Sequence, residues 1–137
     1  MTPTPTSSAS AQPSFAFVAA SWVALVVGFG AYCGMLLGST LNLNERGYYF
    51  VLLMYGLFAA VSVQKSVRDR QEGVPVTGIY YGLSWVSVLL VIGLLTFSLF
   101  NAAVLTPAER GFYGMAFLLS LFAAIAVQKN TRDKTAG

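Results

Sequence analysis

Uncharged, mainly apolar stretches alternate with short charged clusters along most of this sequence. The stretches cover about residues 15–37, 47–64, 79–100 and 111–128. A helix needs about 20 apolar residues, each rising about 1.5 Å, to cross about 30 Å of hydrocarbon. The second and fourth stretches have 18 residues each, and Arg and Lys side chains at their ends can reach the interface and complete the span. The pattern predicts an all-α membrane protein with four transmembrane helices.

The second half of the chain repeats the first. Glu45-Arg46-Gly47-Tyr48-Tyr49 recurs 64 residues later as Glu109-Arg110-Gly111-Phe112-Tyr113, and the nine residues 57–65 recur in similar form at 121–129. The first and third helices resemble each other more weakly, for example in a shared Ser-Trp-Val at 21–23 and 84–86. Because each copy holds two spans, both copies insert the same way, which predicts a parallel repeat about an axis along the membrane normal.

These boundaries predict a tandem of two helical hairpins. The first two-helix unit covers 15–69 and the second 79–133, with a linker at 70–78 and a short C-terminal tail at 134–137. Residues 1–14 are rich in Thr, Ser and Pro, a composition typical of a disordered tail.

The composition excludes several kinds of site. Hydrophobic residues make up 56% of the chain and charged residues 9%, with a net charge of +3, and the basic residues form no face that could follow a nucleic-acid backbone. There is no histidine, and Cys33 is the only cysteine, so the commonest metal ligands and general bases are missing. We therefore expect no catalytic, cofactor or metal site and no nucleic-acid partner.

The basic residues also predict the orientation. With four spans, both termini and the middle loop share one side, which holds six of the eight basic residues: Lys65, Arg68, Arg70, Lys129, Arg132 and Lys134. The other side holds Arg46 and Arg110. Because short cytoplasmic loops are enriched in Lys and Arg, the termini are predicted to be cytoplasmic.

The repeated motifs resemble the YiaA/YiaB inner-membrane proteins of bacteria, whose unit is called the YiaAB two-helix domain. The resemblance lies in the stretch from Leu43 to Phe50, in Gln-Lys-x-x-Arg-Asp from Gln64 to Asp69, in their second-copy counterparts, and in Ile79-Tyr80-Tyr81. It covers nearly everything after the N-terminal tail. It implies a bacterial inner-membrane location and brings no established activity.

Two glutamate-arginine pairs, Glu45-Arg46 and Glu109-Arg110, lie where the second and fourth helices begin. Thr106 precedes Glu109 by three residues, as in a capping box, and Asn42 stands in the same place before Glu45. The pairs can serve as caps alone. They can also form a reciprocal ion-pair clamp across the repeat, Glu45 to Arg110 and Glu109 to Arg46, or a ligand or proton site.

A second set of polar residues closes the same helices on the predicted cytoplasmic side. Lys65 and Asp69 are four residues apart, as are Gln64 and Arg68, so each pair can meet on one helix face. We call the set the cytoplasmic collar; it comprises Gln64, Lys65, Arg68, Asp69, Gln128, Lys129, Arg132 and Asp133. It can set the topology alone, or bind anionic lipid headgroups or a partner.

Small residues recur at four-residue spacing along several helices. In lipid, such rows let helix backbones approach closely. The predicted packing residues are Gly30, Gly34, Gly38, Gly56, Ala60, Ser120 and Ala124. They would form contacts within the bundle or with another protomer or membrane protein.

The middle of every predicted span lacks Asp, Glu, Lys, Arg and His, although proton-coupled carriers usually need such a residue there. We therefore expect a non-enzymatic interaction or structural protein of the bacterial inner membrane, whose partners are the lipid bilayer and a second protomer or another membrane protein. The alternative is a small transporter or channel subunit that conducts through polar side chains such as Ser62, Ser66, Ser98 and Asn101.

Overall fold

The structure, a computed structural model, describes residues 12–136 and contains four α-helices in that range, with no strand. In chain order they are α1 (Phe15–Leu37), α2 (Leu43–Gln71), α3 (Gly78–Asn101) and α4 (Pro107–Ala136). Each is long and apolar enough to cross a membrane. The predicted all-α membrane fold with four spans is confirmed.

Each helix begins at a polar side chain that accepts a hydrogen bond from the first turn. Ser14 does so for α1, Asn42 for α2 and Thr77 for α3, and Thr106 accepts from the N–H three residues later in α4. The first N–H groups of a helix have no partner within it, so these caps fix the starting residues.

Two of the helices extend beyond the uncharged stretches. α2 ends at Gln71, and α4 continues through the expected C-terminal tail at 134–137 as far as Ala136. The extension of α4 is stabilised by a bond from Lys129 to Asp133 one turn later and by one from the Thr135 hydroxyl to the Arg132 carbonyl, 2.9 Å long. The disordered tail expected for residues 1–14 falls mainly on residues 1–11, which lie outside the described residues.

The two units are interleaved. α1 packs mainly along α4 and α3 mainly along α2, while α2 and α4 pack against each other at the centre. The two helices within each unit, α1 with α2 and α3 with α4, touch only slightly. The first helix of each unit is therefore held by the second helix of the other unit.

The same positions are buried in both units. Four buried residues of α1 have buried counterparts 63 positions later in α3; the pairs are Ser21 and Ser84, Gly28 and Val91, Tyr32 and Leu95, and Leu36 and Leu99. Buried residues of α2 recur 64 positions later in α4, as in Tyr49 and Tyr113, Leu53 and Phe117, and Ala60 and Ala124. The repeat seen in the sequence is thus a repeat of inward-facing surfaces.

An aromatic cluster joins three of the helices near the two short connections. The Tyr32 hydroxyl donates to the Tyr49 carbonyl over 2.7 Å. The Tyr32 ring meets the Tyr113 ring edge to face, with centroids 5.4 Å apart, and the Tyr49 ring stacks on Tyr113 at 6.1 Å. The cluster ties α1, α2 and α4 together.

Candidate functional site

The bundle has two ends, which differ in how their charges are arranged. We call the end with the start of α1, the end of α4 and the linker between α2 and α3 the terminal face. The end with the connections at 38–42 and 102–106 is the hairpin face. All salt bridges among the described residues lie at the terminal face.

Seven charged side chains interact at the terminal face, and we call them the terminal charge network: Lys65, Arg68, Asp69, Glu72, Lys129, Arg132 and Asp133. Within each helix a lysine bonds to the aspartate one turn on. The Lys65–Asp69 and Lys129–Asp133 distances are both 2.9 Å. The collar glutamines Gln64 and Gln128 are half-buried, one turn before the arginines.

Two ion pairs cross between the repeats. Arg132 bonds to Asp69 at 2.6 Å, and Arg68 bonds to Asp133. Both aspartates are buried although each carries a charge, and each accepts from one arginine of the other helix and one lysine of its own. Because a buried carboxylate is costly without partners, these pairs fix how α2 and α4 lie against each other.

Glu72 links the two arginines. Its carboxylate accepts from Arg68 Nε at 2.6 Å and from Arg132 at 2.9 Å. The bond from the Arg68 guanidinium, together with Arg132, holds the pKa of Glu72 below its usual value. Sequence reasoning missed this residue, although it stands four positions after Arg68, the spacing of a helical ion pair. Its repeat position, 136, holds alanine.

A glycine turn places Glu72 over the network. Gly73 has a φ of 78°. The Gly73 N–H bonds to the Arg70 carbonyl at 3.3 Å, and the Val74 N–H bonds to the Asp69 carbonyl at 2.8 Å. This pair of bonds is a Schellman motif, which needs a left-handed residue after the helix. The chain can therefore turn away directly after Glu72.

The network is nearly neutral as a unit. Its four cations and three anions leave a net charge of +1. The lysine side chains are about half exposed, at 54% for Lys65 and 50% for Lys129. The arrangement can cross-link α2 and α4, and it leaves little uncompensated charge with which to attract an anion.

At the hairpin face the glutamates act as caps. Glu45 accepts from the Asn42 N–H at 3.3 Å and Glu109 from the Thr106 N–H at 2.8 Å, which completes a capping box at each helix. The neighbouring Arg46 and Arg110 extend back over the two connections and bond to backbone carbonyls there, instead of forming the predicted ion-pair clamp across the repeat.

The Arg46 guanidinium donates to the Ser39 carbonyl at 2.7 Å, and that of Arg110 to the Ala102 carbonyl at 3.0 Å. Among residues 12–136 no ion pair joins Glu45 to Arg110 or Glu109 to Arg46. The carboxylates accept hydrogen bonds from the N-cap N–H groups, and the guanidinium groups donate to carbonyls of the connections. A reciprocal pairing across the repeat exists, but at the terminal face.

The glycine row predicted in α1 does not form the contact within the bundle. Within the part of the chain that the structure describes, a Cβ placed on Gly30 or Gly34 would meet no atom within 4 Å, and one on Gly38 would meet only carbonyls of its own helix. The close approach occurs at Gly28, where a Cβ would lie 2.7 Å from the Ser120 hydroxyl. Gly28 lies on the same helix face as the buried residues Ser21, two turns before it, and Tyr32, one turn after it.

In α2 and α4 the predicted small residues do face inward. A Cβ on Gly56 would lie 2.7 Å from the Phe117 ring. Ala60, Ser120 and Ala124 are buried. Gly56 lets α2 approach α4 closely, whereas Ser120 lies against Gly28 of α1.

The polar residues suggested for a conducting path do not lie together in the bundle. Ser66 is buried and donates to the Ser62 carbonyl, whereas Ser98 bonds to the Tyr48 hydroxyl and Asn101 to the Phe97 carbonyl. Ser62 and Ser66 lie towards the terminal face and the other two towards the hairpin face. Among residues 12–136 no three His, Cys, Asp or Glu side chains are grouped so as to hold a metal ion.

Comparison with known proteins gives one consistent result. The family model described as "yiaA/B two helix domain" matches twice, at residues 17–69 and 80–133. The chain is 51% identical over 122 residues to the protein named "Inner membrane protein YiaA" of Escherichia coli (strain K12), a match that covers 89% of this chain and 82% of that protein. No solved structure gives a significant match. The chain belongs to the YiaAB two-helix-domain family and carries two copies of the domain.

Proposed function

We propose that this chain is a non-enzymatic protein of the bacterial inner membrane, with cytoplasmic termini, that binds a second membrane-spanning protein or a second copy of itself through α1. The observation that carries the proposal is the outward-facing pair Gly30 and Gly34. The two residues lie on one helix face, and a Cβ on either would meet no atom of residues 12–136 within 4 Å.

Exposed glycines of this kind favour a partner helix. Association in lipid depends on close van der Waals approach, which small residues permit. On the same face Val23, Val27 and Leu37 are 61%, 54% and 74% exposed, so they can pack around a helix seated on the glycines. α3 offers a contrast, because the open Gly93 is followed one turn later by Phe97, which is 69% exposed.

The charges favour a structural role over catalysis. Glu45 and Glu109 cap helices, and the buried aspartates Asp69 and Asp133 are each held by two cations. A general base or nucleophile needs a group free to exchange a proton or attack a substrate. Carboxylates held in caps and ion pairs have fixed partners instead.

The inner-membrane location and the orientation rest on two supports. The Escherichia coli relative is named an inner membrane protein, and the terminal face holds the larger number of Lys and Arg residues, which favours a cytoplasmic position for it. A reporter that is active only in the cytoplasm, fused within the linker at Gly73, is expected to be active. Activity of a reporter that works only outside the cytoplasm would reverse the orientation.

The partner contact can be tested by crosslinking in native membranes. The tagged full chain should give a discrete crosslinked species of higher mass. Gly34→Leu should remove it by blocking close approach. Gly93→Leu is the matched control because it adds the same side chain at an open glycine of α3 and should leave the species intact.

The outcomes are distinct because a Cβ at Gly34 or Gly93 meets no atom of the described residues within 4 Å. Both variants are expected to insert and to unfold at the wild-type temperature. Recovery of the same crosslinked species from wild type and Gly34→Leu would contradict the proposal, and so would equal loss in both variants.

A further inference from the structure

A cleft opens between α3 and α4 at the hairpin face. It has a volume of about 350 Å³ and is lined by Thr96, Leu99, Phe100, Pro107, Arg110 and Gly111. The cleft exists because α3 packs mainly along α2, and α4 along α1 and α2, so the two helices touch only slightly. The splayed pair leaves a wedge near the connection that joins them.

The lining combines apolar surface with one cation. Of the four clefts described on residues 12–136, this is the only one with a charged side chain in its lining. Gly111 adds open space, since a Cβ there would meet nothing within 4 Å. Phe100, at the mouth, is 74% exposed.

Arg110 is incompletely satisfied by the protein. One guanidinium nitrogen donates to the Ala102 carbonyl at 3.0 Å, whereas Nε is buried and has no hydrogen-bond partner among the described residues. No carboxylate among those residues lies within salt-bridge distance of Arg110, because the adjacent Glu109 caps the helix. The first turn of α4 adds the positive end of a helix dipole.

The position of this cation matches a lipid boundary. Arg110 is the last charged residue before the 18-residue uncharged stretch 111–128, which places it where hydrocarbon meets headgroups. An arginine there pairs favourably with a phosphate, which accepts from two guanidinium nitrogens at once.

We propose that the cleft between α3 and α4 binds one anionic phospholipid, with its phosphate at Arg110 and an acyl chain against Leu99, Phe100 and Gly111. The site differs from the α1 face of the proposed function and does not depend on it. The terminal charge network, although richer in cations, is compensated by its own carboxylates and is the weaker site for an anion.

The repeat supplies a matched control. Arg46 is the counterpart of Arg110; it too donates to a connection carbonyl, at 2.7 Å, and has a buried Nε without a partner among the described residues. However, none of the four clefts is lined by Arg46. Arg46→Gln therefore removes an equivalent charge without removing the cleft.

The experiment is native mass spectrometry of the full chain in a non-ionic detergent, titrated separately with phosphatidylglycerol, phosphatidylcholine and inorganic phosphate. Wild type should bind one phosphatidylglycerol in preference to the other two. Arg110→Gln should weaken that binding about fivefold, the effect of one basic residue at a membrane surface. Arg46→Gln should leave it unchanged.

A second variant tests the apolar part and guards against misfolding. Gly111→Leu keeps Arg110, fills open space and should also weaken phosphatidylglycerol binding, whereas Gly47→Leu, at the repeat position, should not. Equal binding of phosphatidylcholine and phosphatidylglycerol would overturn the proposal, as would equal effects of the Arg46 and Arg110 variants or wild-type binding by Gly111→Leu. If Arg110→Gln does not fold, the Gly111 variant and the lipid comparison decide.

Discussion

Replacing Gly28 by alanine tests where α1 meets α4. The new Cβ would lie 2.7 Å from the Ser120 hydroxyl, 3.1 Å from the Ser120 nitrogen and 3.3 Å from the Ala116 carbonyl oxygen. The hydroxyl could rotate away only by giving up its 2.8 Å bond to Ala116. The other two atoms belong to the α4 backbone, so relief requires the helices to move apart.

The magnitude follows from a comparison with Gly30→Ala. Inserting a methyl group into a well-packed contact costs about 1–3 kcal/mol, and alanine gains about 1 kcal/mol over glycine in helix propensity. A Cβ at Gly30 has no neighbour within 4 Å among the described residues, so only the propensity term applies. The propensity cancels between the two variants, and Gly28→Ala should be less stable than Gly30→Ala by about 1–3 kcal/mol.

The assay is reversible unfolding in mixed detergent micelles, followed by the fluorescence of Trp22 and Trp85. Adding Ser120→Ala to Gly28→Ala removes the nearest atom and should restore part of the lost stability, a coupling expected for residues in contact. The same substitution added to Gly30→Ala should restore nothing. If Gly28→Ala is as stable as Gly30→Ala, the inward assignment of Gly28 is refuted.

The terminal face gives two further predictions. Arg68 holds the pKa of folded Glu72 below its unfolded value, so Glu72 contributes stability at neutral pH that is lost as the pH falls below about 4.5 towards the folded pKa. Glu72→Gln should therefore make the loss of stability in acid shallower in an unfolding titration. An unchanged pH profile would contradict the bridging role of Glu72. Gly73→Ala should lower the free energy of unfolding by about 1–2 kcal/mol because φ is 78° there, whereas Gly82→Ala, at an open site in α3, should not; equal stability of the two variants would refute the turn.

Helix positions were predictable from the sequence because charge is excluded from lipid. The span predicted at 15–37 matches α1. The starts of α2 and α4 follow from the preceding residues Asn42 and Thr106, whose side chains cap the helices through local hydrogen bonds. Such signals involve a few neighbouring residues, so a single sequence reveals them. The four-residue spacing in the cytoplasmic collar predicts that α2 and α4 continue past the uncharged stretches as far as Asp69 and Asp133. Their further extension to Gln71 and Ala136 falls in the predicted linker and C-terminal tail.

Inward faces were harder to predict. In a soluble helix the apolar stripe marks the core, but α1 is apolar on all sides, and residues that face lipid resemble those that face protein. The four-residue spacing of Gly30, Gly34 and Gly38 therefore predicts the packing face, and Gly28 lies outside that spacing. The repeat does not separate Gly28 from the outward-facing glycines, because Gly28 and Gly34 both have a large residue, Val91 and Phe97, at the repeat position.

The location of the cross-repeat ion pairs depended on tertiary structure. Spacing along one helix predicts Lys65 with Asp69, and the structure has that bond. It cannot predict Arg132 with Asp69, because that pair requires α2 and α4 to be the central neighbours. The symmetry of the repeat predicts reciprocal ion pairs between the copies. Glu45 and Glu109 do not form them, because their carboxylates cap the helices.

The interleaved packing explains how equivalent positions of the two copies can hold different residues. Each unit's first helix depends on the other unit's second helix, so each cross-pair had to fit separately. The α2–α3 pair is joined by a 2.7 Å bond from the Tyr55 hydroxyl to Ser87, while the corresponding residues in α4 and α1 are Leu119 and Ala24. α1 and α4 are joined instead by a 3.2 Å hydrogen bond from the Asn130 amide to the Ser21 hydroxyl, and they approach closely at Gly28, where small residues allow van der Waals contact in lipid. A residue that is large in one copy can therefore be glycine in the other without loss of the repeat.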